Sequence, residues 1–200
     1  MLSMRDPTAL THRAASALRS QQGRHEEAVL EAEQTIALDH NDAENYDALG
    51  TALSWAGRPE EAISAYKTAM RLDPHFPATY LENLGEAYFN TGDFEAAAKT
   101  IERARKRNPG LAAWILAAAY GHLGKEEKAA ETLKQYHEFR GWSRLYTVSG
   151  VVGWYPYKRR ADVERLGVGL IKAGLCCQSG LDIYLATTPR ANVNFTRPSC

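Results

Sequence analysis

The sequence predicts an all-α fold in which about four helix pairs stack side by side as a right-handed solenoid. Three observations carry this prediction: apolar and small residues recur at the spacing of one helix face, glycines separate the two helices of each pair, and the pattern returns after about 34 residues. Because one helix pair cannot bury both of its faces, the neighbouring pairs are needed to complete a core.

The clearest repeat covers residues 43–76. Its first helix has an apolar face spaced i, i+3, i+4 and i+7, and its second helix has a face in which alanines flank a tyrosine. Gly57 suits the left-handed end of the first helix, and Pro59 suits the start of the second. The face positions are Tyr46, Leu49, Gly50 and Leu53, followed by Ala62, Tyr66 and Ala69.

Related units lie on both sides of this repeat. Residues 9–42 have a degenerate first helix, but Gly23-Arg24-His25-Glu26-Glu27-Ala28 parallels Gly57-Arg58-Pro59-Glu60-Glu61-Ala62 and indicates a clear second helix. Residues 78–111 and 110–140 continue the pattern. Residues 1–8 show no periodicity, so we expect a frayed N-terminus there.

The stretch 141–175 has a different composition, rich in aromatic residues, glycine and valine. It can form a β-hairpin around Ser149-Gly150, but an irregular cap over the exposed face of the last repeat fits better, since terminal repeats need capping. A final helix is predicted over Ala161–Ala173. Residues 176–200 are rich in Ser, Thr, Pro and Asn and are predicted to be a disordered tail.

Two resemblances follow from these residues. The pattern Tyr46-x2-Leu49-Gly50-x2-Leu53, Ala62-x3-Tyr66, Ala69 and Pro74 resembles the tetratricopeptide repeat, with tyrosine in the usual tryptophan place. Residues 154–166 and 169–175 are similar to the segment that closes the repeat region of bacterial proteins combining a class III adenylate/guanylate cyclase domain with such repeats. This second likeness implies a regulatory or interaction half whose catalytic half has no counterpart in this chain.

The first resemblance implies that the first helices line a concave groove. The first-helix residues that would face this groove combine carboxylates with aromatic rings. This combination indicates a partner protein or peptide with basic and apolar side chains. Trp55 and Trp114 are the natural anchors, unless they pack against the neighbouring repeat. The predicted groove residues are Asp47, Thr51, Trp55, Glu82, Glu86, Phe89, Asn90, Trp114 and His122.

The net charge, the cysteines and the motifs of the chain limit which classes of function we expect. The formal net charge is zero, which gives no bulk attraction to nucleic acid or to an anionic membrane. The three cysteines form no metal-binding motif and suit a reducing cytoplasm, and no catalytic motif or cofactor site is recognisable. We therefore expect a non-enzymatic, cytoplasmic interaction scaffold. The alternatives are a fragment of a nucleotide cyclase and self-association through an open end, and the oligomeric state stays unpredicted.

Overall fold

The computed structural model describes residues 8–140 and 147–175, and every regular element within these ranges is an α-helix. The predicted all-α fold is confirmed. The helices are α1 Ala9–Gln21, α2 His25–Leu38, α3 Ala43–Trp55, α4 Pro59–Leu72, α5 Ala78–Thr91, α6 Phe94–Arg107, α7 Ala113–His122, α8 Glu126–Arg140, α9 Val148–Val152 and α10 Arg160–Lys172.

The first eight helices form four pairs, each made of a first helix (α1, α3, α5, α7) and a second helix (α2, α4, α6, α8) packed against it. Each second helix of the first three pairs also packs against the first helix of the next pair. Successive first helices touch as well, from α1 to α3, α3 to α5 and α5 to α7. The first helices therefore line one continuous surface, which we call the inner surface.

Close contacts inside the pairs explain the small residues of the repeat pattern. A Cβ atom on Gly50 would lie 2.5 Å from the Tyr66 ring, and one on Gly85 would lie 2.4 Å from Ile101. Each glycine thus leaves room for a large side chain of the second helix. In the degenerate first repeat, Ser16 is buried and donates a hydrogen bond to the carbonyl of Ala28 at 2.8 Å, so α1 packs closely despite its weak pattern.

The start of α1 and the end of α6 each show a contact that the sequence pattern did not predict. Thr8 falls in the segment predicted to fray, but its side chain accepts a hydrogen bond from the Thr11 amide and caps α1. The basic end of α6 is explained by carbonyl groups nearby: Arg105 donates to Leu111 and Arg107 donates to Phe76. Cations are favourable at this negative end of the helix dipole, so the cluster has a structural role.

Residues 148–152 form the short helix α9, not the hairpin or the wholly irregular segment considered from sequence. The three valines of α9 are buried, and they join the same core cluster as the side chains of α7 and α8. A short helix satisfies its own backbone while presenting Val148, Val151 and Val152 to this core, which the valine-rich composition did not distinguish from a strand.

Helix α10 runs one residue ahead of its predicted bounds and packs directly on α7. A Cβ atom on Gly169 would lie 2.7 Å from Ala118, and one on Gly121 would lie 2.2 Å from the Gly169 carbonyl oxygen. Leu166 and Leu170 are fully buried beside this contact. Since α7 is a first helix, α10 lies on the inner surface.

Several sequence predictions fall outside the described residues. They concern the frayed segment 1–7, the aromatic stretch 141–146, and the tail 176–200 with its three cysteines. These remain predictions.

Candidate binding surface

The inner surface divides into two sections. The open section is a cleft of about 810 Å³ formed by the N-terminal halves of α1, α3 and α5 and the loops before α3 and α5. The covered section is formed by residues near the C-terminal ends of α3, α5 and α7, which contact the segment 154–165. The open section is lined by Arg13, Asn41, Asp42, Ala43, Glu44, Asp47, Ala48, Leu72, Asp73, Pro77, Thr79 and Tyr80.

Residues 154–159, which connect α9 to α10 and which we call the strap, lie across the covered section. The Tyr157 hydroxyl donates a hydrogen bond to Glu86 Oε1 at 2.8 Å. The next backbone amide, that of Lys158, donates to the carbonyl oxygen of Trp55 at the end of α3 at 2.8 Å. The Lys158 ammonium also pairs with Glu26 of α2. The strap therefore touches three repeats.

Glu86 is the polar centre of the covered section. Its Oε1 atom accepts hydrogen bonds from Trp55 Nε1 at 3.2 Å and from the Tyr157 hydroxyl. Burial raises the pKa of Glu86 to about 7, although both hydrogen bonds act in the opposite direction. Near neutral pH this carboxyl group therefore exchanges between its neutral and charged forms.

A charge cluster fixes the start of α10 to the end of α5. The Asp162 side chain is fully buried and accepts hydrogen bonds from Arg159 at 2.8 Å and from Arg165 at 2.6 Å. Both guanidinium groups also donate to the carbonyl oxygen of Asn90, at 3.4 and 3.0 Å. The arginines thus supply positive charge at the C-terminal end of α5, where the helix dipole favours it.

The open section has an acidic balance. Arg13 pairs with Asp42 at 2.7 Å and with Glu44 at 2.9 Å. Asp47 and Asp73 add two further carboxyl groups to the same cleft. Asp47 accepts a hydrogen bond from Asn83 at 3.0 Å, and burial raises the pKa of Asp47 to about 6. At neutral pH four carboxylates therefore face one guanidinium in this cleft.

Six of the nine predicted groove residues have polar contacts on or beside the inner surface. Asp47 lies in the open section, while Trp55 and Glu86 lie under the strap. Thr51 accepts a hydrogen bond from the Tyr66 hydroxyl at 3.2 Å, and Glu82 accepts one from the Ala112 amide at 2.9 Å. His122 is half-buried, stacks on Phe94 and bonds the Arg165 carbonyl, and burial lowers its pKa.

The other three are buried, and the structure does not leave them accessible to a partner. Phe89 is fully buried, with its ring centroid 5.4 Å from that of Phe94, so it belongs to the core and not to a groove wall. Asn90 is buried, and its carbonyl lies against Arg159 of the strap and Arg165 of α10. Trp114 is buried too, with its ring 4.6 Å from Tyr136 and 6.4 Å from Trp154. The closing segment covers positions that the repeat pattern alone leaves exposed.

The sequence interpretation missed the strap as a ligand of the inner surface. The available signal was electrostatic: acidic residues dominate between residues 25 and 61, and Lys158, Arg159 and Arg160 follow an aromatic run. The contacts of Lys158 with Glu26 and of Tyr157 with Glu86 join these two parts of the chain.

Two negative observations concern the described ranges alone. Within residues 8–140 and 147–175, no three His, Cys, Asp or Glu side chains come together in a way that could hold a metal ion. In the same part of the chain, no helix has the combination of length and apolar composition needed to cross a bilayer.

Comparisons with known proteins address the fold. A family model described as tetratricopeptide repeat matches residues 56–120, and a model of the bacterial transcriptional activator domain matches residues 4–73. The crystal structure of MamA superposes with a TM-score of 0.57 at 21% identity, covering 92% of this chain and 97% of that one. The chain has the fold of a tetratricopeptide-repeat solenoid.

One further solved structure and one curated protein are similar to this chain. YrrB, described as a TPR protein with an unusual peptide-binding site, matches with a TM-score of 0.55 at 17% identity and covers 90% of this chain and 92% of that one. The small glutamine-rich tetratricopeptide repeat-containing protein 2 of Mycosarcoma maydis is 36% identical over 73 residues. The match covers 36% of this chain and 20% of that relative. This chain therefore spans about a fifth of that relative's length.

Proposed function

We propose that the solenoid is a non-enzymatic scaffold that binds a basic, partly apolar segment of a partner protein in the open section of its inner surface. One observation carries the proposal: the lining of the cleft opposes four carboxyl groups to the guanidinium of Arg13, next to the exposed ring of Pro77. Complementary charge steers a basic segment into such a cleft and fixes its register.

The contacts of the strap support the same chemistry. The chain's own aromatic and basic segment lies on the adjoining covered section, where it bonds Glu86, and it also pairs with Glu26 of α2. The peptide-binding site of YrrB is a property of that protein, but it agrees with a solenoid of this type holding an extended chain.

A panel of labelled synthetic peptides of equal length, from basic and apolar to acidic and apolar, tests the proposal by fluorescence anisotropy. We expect the basic members to bind and the acidic members not to bind. The double change Glu44→Gln and Asp47→Asn should weaken binding of the basic members about tenfold at low salt, because it removes two carboxylates while keeping the acceptor for Asn83.

The matched control is Glu33→Gln with Glu95→Gln, which removes two exposed carboxylates outside the open section. An equal loss in this control would mean that only the net charge matters, and the site would be wrongly placed. Unchanged binding by the Glu44 and Asp47 variant would remove the proposal.

The likeness of residues 154–175 to the closing segment of cyclase-linked repeat proteins supports a narrower proposal, in which this scaffold is the regulatory portion of a signalling protein. The likeness falls on the strap and α10, the elements that cover the inner surface. An in-frame cyclase domain upstream of Met1 in the source genome would support that arrangement, and an unrelated upstream gene would oppose it.

A further inference from the structure

The covered section is occupied by a short loop whose two ends are anchored separately. Before the strap, α9 places three valines in the core, and after it α10 packs on α7 through Gly169 and two buried leucines. The strap itself spans only residues 154–159. It can therefore leave the inner surface as a loop while both flanking helices stay in place.

Several side chains of the strap are open to solvent. Trp154 is 54% exposed, and the side chains of Lys158 and Arg159 are 48% and 40% exposed. Tyr157 is the buried side chain of the strap: its hydroxyl reaches Glu86 and its ring stacks on Tyr155, while Arg159 bonds Asp162 and the Asn90 carbonyl. Exposed ion pairs such as that of Lys158 with Glu26 contribute little to stability, because water and salt screen both charges. Of the strap side chains Tyr157 is the most buried, so water competes least with its contact to Glu86.

The groups beneath the strap specify what can replace it. Glu86 accepts a hydrogen bond from a phenol, the carbonyl of Trp55 at the end of α3 accepts one from a backbone amide, and Glu26 pairs with an ammonium group. These acceptors suit a segment in which a tyrosine precedes a lysine. The open section adjoins them along α3 and α5, so one extended chain can cross both sections.

We propose that the strap is an internal competitor for the binding surface, and that the partner segment carries a tyrosine followed by a basic residue, which takes the places of Tyr157 and Lys158 when the strap is displaced. This inference rests on the proposed function, because the same partner continues into the open section. In the absence of the partner the strap shields Glu86 and Trp55 from other ligands.

A labelled peptide with the chain's own sequence 152–161, VGWYPYKRRA, is the probe. Intact protein should bind it weakly, since the tethered strap occupies the same place at high effective concentration. The variant Tyr157→Ala with Lys158→Ala should bind it at least tenfold more tightly. Adding Glu86→Ala to that variant should remove the gain, because the phenol acceptor is lost.

Arg160→Ala is the matched control, as Arg160 follows the strap and pairs with Glu164 of its own helix; it should give no gain. Tyr157→Phe, which removes only the hydroxyl, guards against misfolding: it should raise affinity a few fold with unchanged helical circular dichroism. Equal affinity of intact protein and both strap variants would overturn the proposal, as would a gain that survives Glu86→Ala.

A doubled mass of intact protein in sedimentation, abolished by Tyr157→Ala with Lys158→Ala, would show the strap bound to a second copy and would overturn the partner assignment. The proposed function can fail separately. The variant of Glu44 and Asp47 tests basic-peptide binding in the open section. The Glu86 variant tests displacement of the strap, and Glu86 lies outside the open section.

Discussion

Replacing Asp162 with alanine is expected to lower the free energy of unfolding by about 3 kcal/mol. The Asp162 carboxylate is fully buried and accepts three hydrogen bonds, two from Arg159 and one from Arg165. Without it two guanidinium groups face each other beside Asn90 without their counter-charge. This loss of stability is at the low end of the range for removing one partner of a buried ion pair, because both arginines keep some contact with water. Urea unfolding at pH 7 measures it.

Glu164→Ala is the control, since Glu164 lies on the same helix and pairs with Arg160, whose side chain is 53% exposed. A surface pair of this kind should cost less than about 1 kcal/mol. If Asp162→Ala and Glu164→Ala cost the same, the cluster does not hold α10 to the end of α5.

Changing Glu86 to glutamine is expected to stabilise the protein at pH 8 by about 3 kcal/mol and to leave its stability near pH 4 unchanged. The folded pKa of Glu86 is raised from 4.5 to about 7. Its contribution is therefore fully present below pH 4.5 and is lost as the pH rises to about 7. Glutamine keeps the acceptor for Trp55 and Tyr157 without a charge that burial disfavours.

The groups that face Glu86 act in both directions, and burial outweighs those that oppose it. The hydrogen bonds from Tyr157 and Trp55 lower the pKa of Glu86, while the negative charges of Glu82 and Asp162 raise it. Asp47, whose pKa is also raised, is present in both proteins and cancels in the difference. Thermal or urea unfolding from pH 4 to pH 8 checks the prediction. A difference between the two proteins that does not grow with pH would show that Glu86 is not buried under the strap.

The repeat architecture was predictable because its determinants are local. Gly50 and Tyr66 are 16 positions apart along the chain, and Gly85 and Ile101 have the same separation. The glycine and the large side chain meet in both repeats, so the same spacing produces the same helix pair. The bounds of α3, α4, α5 and α6 follow from glycine and proline positions that a single pass along the sequence identifies.

Which part of the inner surface is covered by the chain itself was not predictable in the same way. The strap contacts join residues separated by 71 positions, Tyr157 and Glu86, and by 132 positions, Lys158 and Glu26. No periodicity links such positions. Trp114 shows the consequence: its place on a first helix left open whether it is a groove anchor or packs against other residues, and Trp154 of the closing segment and Tyr136 bury it. The binding role of the predicted groove residues that stay on the inner surface remains a prediction.

Amide hydrogen exchange at Lys158 tests most directly whether the chain covers part of its own binding surface. This backbone N–H lies in a loop, where exchange is normally fast, yet it donates to the Trp55 carbonyl oxygen at 2.8 Å. In the intact protein we expect the Lys158 amide to exchange at least a hundredfold more slowly than in the free peptide 152–161. Exchange at the rate of the free peptide would contradict the account, because the strap would then not lie on the inner surface.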